Sequence, residues 1–192
     1  ERPFLNLASY VCGIASQTKG LVAVVDQQWK SSDWHTRSAA PRVTATRKTL
    51  PGYRDLALEG VLAGGGMSHR YNLAGGVLIK ENHIAAVGGV TEAVSRLGAS
   101  APHVLRVECE VRSLEELTAA LAAGADAILL DNFSPEAARE ALQMIQGRIP
   151  VEISGGLHVG NIGSYVLEGV SILSSGALTH SVTALDLSLL VE

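Results

Sequence analysis

Six short apolar runs punctuate the chain: Val43–Ala45, Val77–Ile79, Val104–Val107, Ala127–Leu130, Val151–Ile153 and Val170–Leu173. Runs of Val, Ile and Leu at this length predict parallel strands buried on both faces. Between them the spacing changes to that of helices. Ser113-Leu-Glu-Glu116 is a capping box, and the Ala- and Leu-rich turns after it end at Gly124. Ser134 with Pro135 starts another helix, which Gly147 ends, with Pro150 just beyond. Gly88-Gly89 precedes a helix around Val90–Leu97, and Gly60 or Gly64 closes one around Tyr53–Leu62. Pro3, Leu7, Val11, Ile14 and Thr18 predict a leading helix over residues 1–25. The chain opens inside this element, so a preceding segment is expected. Gln27–Arg42 is polar, contains both Trp residues, and reads as a surface loop.

Strand starts recur every ~20–35 residues, the spacing of βα units. No Gly-x-Gly-x-x-Gly follows the first strand, which disfavours a dinucleotide-binding open sheet. The runs end instead in polar chemistry: Thr46-Arg-Lys48, Lys80-Glu-Asn-His83, Glu108, Asp131-Asn132, Ser154-Gly-Gly156 and Ser174-Ser-Gly176. Strand ends that converge on one mouth are the signature of a β/α barrel. A complete barrel takes ~250 residues, and this chain has 192. The expected fold is therefore a short or incomplete β/α barrel of TIM-like type, with about six βα units spanning residues 1–192.

Composition refines this picture. Hydrophobic residues make up 47%, aromatics only 4%, and Gly numbers 20, so the core must be built of small aliphatic side chains. The net charge of -4 excludes general polyanion binding, nucleic acid included, and makes any basic cluster a local device. No apolar run reaches the ~18–20 residues that span a bilayer, so no membrane partner is expected. Two cysteines, Cys12 and Cys109, make no disulfide framework, which suits a reducing, cytoplasmic setting.

The candidate mouth gathers Arg47, Lys48, His69, Arg70 and Lys80 in an acidic chain. Cations concentrated in a concave site attract a small polyanion, with Arg suited to carboxylates and Lys to phosphate. Glu108 and Asp131 end the next two strands, and carboxylates facing a phosphorylated ligand hold Mg²⁺ or sugar hydroxyls. Glu110 lies on the same strand face as Glu108 and is a second candidate acid. Ser154-Gly155-Gly156 and Ser175-Gly176 are turns of the kind that offer backbone N–H groups to phosphate. His83 braces a strand end. His35, His103, His158 and His180 lack metal-ligand spacing, so no zinc site is expected. Cys109, between two acids in a strand, should have a raised pKa and no nucleophilic role.

The ordered motifs Thr46-Arg-Lys-Thr-x-Pro-Gly-x-Arg54, Ser68-His-Arg70, Leu78-Ile-Lys-Glu-Asn-His83, Val107-Glu108-x-Glu110, Leu130-Asp-Asn-Phe133, Ser154-Gly-Gly156 and Ser174-Ser-Gly-Ala-Leu-Thr-His180 closely resemble the quinolinate phosphoribosyltransferase family. The resemblance implies an incomplete β/α barrel, preceded in the family by an N-terminal α/β sandwich domain from which helix 1–25 would continue. It implies transfer of a phosphoribosyl group from phosphoribosyl pyrophosphate to quinolinate, giving nicotinate mononucleotide, pyrophosphate and CO₂ with Mg²⁺. Arg47, His69 and Arg70 would then hold the pyridine carboxylates, with Lys80 beside them. Lys48 would neutralise pyrophosphate. Glu108 and Asp131 would serve ribose, Mg²⁺ and the developing cation, and the turns at Ser154–Gly156 and Ser175–Gly176 would take the 5′-phosphate. Arg2 matches an arginine that enters a neighbouring subunit's site, which implies a homodimer or larger homo-oligomer. Gly75 stands where many members carry Asp, and Gln27–Arg42 is longer than the usual connection. A phosphoribosyltransferase-like paralogue, a non-catalytic anion-binding barrel and a Schiff-base aldolase are the alternatives.

Overall fold

Six strands form in the computed structural model, which describes residues 1–190: β1 (Arg42–Thr44), β2 (Val77–Ile79), β3 (Val107–Val111), β4 (Ala127–Asp131), β5 (Val151–Ser154) and β6 (Ile172–Ser174). Seven helices accompany them: α1 (Arg2–Lys30), α2 (Arg54–Ala63), α3 (Glu81–Val87), α4 (Val90–Ser100), α5 (Leu114–Ala122), α6 (Pro135–Ile145) and α7 (Ala177–His180). All strand pairs are parallel, in the order β1-β6-β5-β4-β3-β2. Consecutive strands lie side by side from β2 to β6, and β6 then pairs with β1. β1 and β2 do not pair, so the barrel stays open along one seam. Met67 partly fills that seam. Its N–H donates to Val43 O at 2.8 Å and its O accepts from Ala45 N at 3.1 Å.

The register assigns every strand residue to one of two faces. Val43, Ile79, Val107, Cys109, Val111, Ile128, Leu130, Val151, Ile153 and Leu173 share the outward face and are buried under the helices. The inward face carries Thr44, Leu78, Glu108, Glu110, Leu129, Asp131, Glu152, Ser154, Ile172 and Ser174. A strand in this barrel is therefore apolar on one face and largely polar on the other. That explains why the third strand lies at Val107–Val111 rather than Val104–Val107. Val104 is 74% exposed, whereas Glu108 and Glu110 belong to the strand on its inner face.

The helix signals hold with local shifts. Ser113 Oγ accepts from Glu116 N and Ser134 Oγ from Ala137 N, both at 3.2 Å. Gln146, not Gly147, takes the left-handed C-cap of α6, at φ 56°. Gly64 is the residue that caps α2. α1 runs on to Lys30, because Gln27, Gln28 and Trp29 contain no helix breaker. The following loop is pinned: Trp34 is buried, and Trp29 Nε1 donates to Ser38 O at 2.9 Å. α3, which opens directly after Lys80, was not anticipated by the spacing.

α1 and α2 pack through glycine. A Cβ at Gly60 would lie 2.9 Å from Ile14 Cβ and from Val11 O. Helix propensity alone favours Gly→Ala by ~1 kcal/mol. The contact reverses that sign, because the opposing atoms include backbone and cannot yield freely. Gly60→Ala is expected to lower stability by about 1–3 kcal/mol in urea unfolding. An unchanged or raised midpoint would show that the two helices do not meet this closely.

Candidate active site

The carboxyl ends of the strands and the loops beyond them enclose a cavity of about 310 Å³. Arg47, Lys48, His69, Arg70, Lys80, Asp131 and Ser154 all line it, so seven of the sequence candidates are brought together. Gly155, Gly156, Ser175 and Gly176 are not among the lining residues and follow β5 and β6 in the adjoining turns. Glu108 sits two residues below the level of Glu110 on β3, and it is Glu110 that faces the mouth. Arg2 is exposed at the start of α1 and does not line this cavity. Glu81, Asn82, Arg112 and Glu152 also line it, and sequence reasoning did not select them.

One wall is cationic. The loop carrying Arg47 and the segment carrying Arg70 are tied together by Arg54. Its guanidinium donates to Arg47 O, Thr49 Oγ1 and Tyr71 O, each at 3.2 Å. Arg70 donates from Nη1 to Gly76 O at 2.7 Å. The Nε atoms of Arg47 and Arg70 are both buried and have no acceptor among the described residues. A buried unpaired donor costs ~1–3 kcal/mol, more when charged. Burial, and then the nearby Arg47 charge, pull the Arg70 guanidinium below its usual value. Two half-buried, mutually repelling guanidinium groups with free N–H groups can take an anion with more than one carboxylate.

The opposite wall is acidic. Glu110, 6% exposed, pairs with Lys80 Nζ. Arg112 pairs with Glu81 and approaches Asp131 at 3.6 Å and Glu110 at 3.9 Å. Asn132 Nδ2 donates to Asp131 Oδ2 at 2.8 Å. Residues 108, 110 and 112 share one face by the strand period, which is the signal that could have found Arg112. Glu110 and Asp131 offer the hard oxygen donors that Mg²⁺ prefers. His83 does brace this wall: its Nδ1 accepts from Lys80 N at 3.0 Å.

Below the mouth lies a second cluster. His69 Nε2 is 3.3 Å from Glu152 Oε2 and 3.9 Å from Glu108 Oε2. Burial, and then Glu152, push the Glu108 carboxyl up to about 7, against the pull of His69, Arg70 and Lys80. The contact with Glu152 raises His69, burial opposing it. The three ligand atoms lie within 4.8 Å of one another, a spacing that fits a metal ion. The imidazole argues otherwise. Its Nδ1 accepts the Arg70 N–H at 2.8 Å, so Nε2 carries the proton in the neutral ring. A metal-binding Nε2 needs the opposite tautomer, with Nδ1–H donating. The cluster is thus suited to holding a proton. Burial pushes the nearby Cys109 thiol up to about 12, which leaves it inert.

The turn after β5 requires glycine, and the turn after β6 leaves little room for a side chain while His180 keeps its place. Gly155 has φ +103°, and a Cβ there would lie 2.2 Å from Asn132 Oδ1. A Cβ at Gly176 would lie 2.6 Å from His180 Nε2. The N–H groups of Gly155, Gly156 and Gly176 donate to no backbone carbonyl among the described residues. The Ser175 hydroxyl is committed to Leu157 O at 2.6 Å.

Because burial raises the Glu108 carboxyl above its ordinary 4.5, the folded state holds that proton more tightly than the unfolded chain. Its contribution is complete below pH ~4.5 and is lost as pH rises through about 7. The melting temperature should therefore fall as pH rises from about 4.5 to about 7, and Glu108→Gln should flatten that fall. Thermal unfolding at several pH values checks this; equal slopes in both proteins would contradict it.

Comparison with known proteins identifies the family. The family profile of the quinolinate phosphoribosyl transferase C-terminal domain matches residues 14–190. The carboxylating nicotinate-nucleotide pyrophosphorylase of Mycobacterium leprae is 44% identical over 192 residues, covering 98% of this chain and 63% of the relative. The human enzyme of the same name is 38% identical over 192 residues, covering 98% and 62%. Among solved structures, NadC from Streptococcus pyogenes is 40% identical with a TM-score of 0.84, covering 97% of this chain and 61% of that one. The nicotinate-nucleotide pyrophosphorylase of Francisella tularensis is 38% identical with a TM-score of 0.85, covering 98% and 63%. The chain spans about three fifths of the length of the curated relatives it matches. It belongs to the quinolinate phosphoribosyltransferase family and corresponds to that family's C-terminal, barrel domain.

Proposed function

We propose that the protein carrying this chain transfers the phosphoribosyl group of phosphoribosyl pyrophosphate to quinolinate, with loss of CO₂, giving nicotinate mononucleotide and pyrophosphate. The observation that carries this reading is the pair of buried, unpaired Nε donors on Arg47 and Arg70. Quinolinate is a planar dicarboxylate, and each guanidinium can take one carboxylate through fixed N–H groups. The family membership and the names of the relatives support the same acceptor.

The reaction joins the pyridine nitrogen to the anomeric carbon as the bond to pyrophosphate breaks; the adjacent carboxylate then leaves as CO₂, its bonding electrons stay on the ring carbon, and a proton from solvent takes its place. It needs positioning and charge stabilisation rather than a protein nucleophile. Arg47 and Arg70 orient the acceptor, with His69 and Lys80 lining the same cavity. Lys48 faces the leaving pyrophosphate. Asp131, with Glu110 in the place first expected of Glu108, faces the ribose and the positive charge that grows on its anomeric carbon. Mg²⁺ bound at Glu110 and Asp131 would neutralise pyrophosphate. Ser154 and the free N–H groups of Gly155, Gly156 and Gly176 suit the 5′-phosphate. A homo-oligomer belongs to this reading, because the exposed Arg2 is available to a neighbour. Two free cysteines support a cytoplasmic setting.

Incubation of the intact protein with quinolinate, phosphoribosyl pyrophosphate and Mg²⁺ tests the reading, with nicotinate mononucleotide as the expected product. Product from another acceptor and none from quinolinate would favour a paralogous transferase. Binding without turnover would favour a non-catalytic barrel. Arg47→Ala should weaken quinolinate roughly 10- to 150-fold, the equivalent of ~1.5–3 kcal/mol for a charge-assisted hydrogen bond. Affinity for phosphoribosyl pyrophosphate should hardly move, and equal losses in calorimetry would sink the assignment. Asp131→Asn should lower turnover while leaving quinolinate affinity nearly unchanged. Normal turnover at saturating Mg²⁺ would make that acid structural.

A further inference from the structure

Glu152 is 3% exposed on the inner face of β5. Its sheet neighbours in register are Leu129 and Ile172, beside which an aliphatic side chain would pack more cheaply than a carboxylate. A second carboxylate, Glu108, lies near enough to oppose its charge. Packing therefore does not account for an acid here. Among the described residues its only ion-pair partner is His69.

His69 lies on the segment that crosses the open seam. That segment has a single ladder contact, between Met67 and Thr44, and its own backbone is otherwise outside the sheet. What fixes it on the inner side is a relay. Glu152 Oε2 lies 3.3 Å from His69 Nε2, and His69 Nδ1 accepts the Arg70 N–H at 2.8 Å. Arg70 then reaches Gly76 O through Nη1, and its Nε is left buried and unpaired at the mouth.

We propose that Glu152 is a positioning residue for the acceptor site: it reaches across the barrel from β5, fixes the tautomer and orientation of His69, and through that ring sets the backbone and guanidinium of Arg70. This rests on the reading of Arg70 as an acceptor-carboxylate ligand. The relay needs an acceptor opposite Nε2–H, and a carboxamide supplies one as well as a carboxylate does. A conservative change should therefore preserve it, and truncation should not. Arg70 would then drift from its productive position, and misplacement of a positioning group weakens binding steeply.

The intact protein and its Glu152→Gln and Glu152→Ala variants decide this. Glu152→Ala should raise the quinolinate KM about tenfold or more with little change in kcat, and leave phosphoribosyl pyrophosphate binding unchanged. Glu152→Gln should stay within about threefold of the parent, without a lower melting temperature. Nitrogen-15 NMR of the His69 ring should show the Nε2–H tautomer in the parent and in Glu152→Gln, and its loss in Glu152→Ala. The ring spectrum reads the positioning claim whether or not quinolinate is the acceptor, so the two readings can fail separately. An unchanged tautomer in Glu152→Ala would overturn the proposal. So would parallel losses in both variants, which would make Glu152 a source of charge or a structural ion pair.

Discussion

Arg47 and Arg70 hold two guanidinium groups in a partly desolvated mouth with buried donors that no described residue satisfies. Such an arrangement is unfavourable for an unliganded fold, and it persists because the surrounding structure over-determines it. Arg54 ties the Arg47 loop to the backbone beside Arg70, and Gly76 O holds the Arg70 side chain. In the proposed reading a dicarboxylate would accept from both Nε–H groups. The acidic wall, with Glu110, Asp131 and the cations paired to them, would in that reading face the other substrate.

The open seam between β1 and β2 makes this geometry possible. A fully closed barrel would fill its interior with layers of branched aliphatic side chains. Here the inner face carries Glu108, Glu110 and Glu152, and the segment from Met67 to Arg70 enters where a further strand pair would otherwise close the ring. The inner charges are therefore balanced against one another: Lys80 against Glu110, and His69 between Glu108 and Glu152. Each such pairing repays part of the desolvation that burial imposes. The same pairings place side chains at fixed heights along the barrel axis, which a loop site could not do as well.

How much of this was legible in the sequence follows from the same two faces. The outward face is apolar, so the βα grammar, the barrel and the strand-end residues Arg47, Lys48, Lys80 and Asp131 could be read directly. The inward face was not, because a strand with acids on alternate positions does not register as an apolar run. For that reason the apolar pattern puts β3 too early and puts Glu108 in the mouth position that Glu110 occupies. Glu152, between Val151 and Ile153, was hidden inside a run read as wholly apolar. Arg112 pairs with Glu81, Glu110 and Asp131 from three elements, and such a cluster exists only after folding.

The central claim is that Arg47 and Arg70 together await two carboxylates. Calorimetric titration of the intact protein with quinolinate and with its monocarboxylate counterpart, nicotinate, tests it most directly. Quinolinate is expected to bind at least about tenfold more tightly, the equivalent of one charge-assisted hydrogen bond. Equal affinity for the two ligands would mean that the paired guanidinium groups do not read the second carboxylate, and the account of the mouth would be wrong.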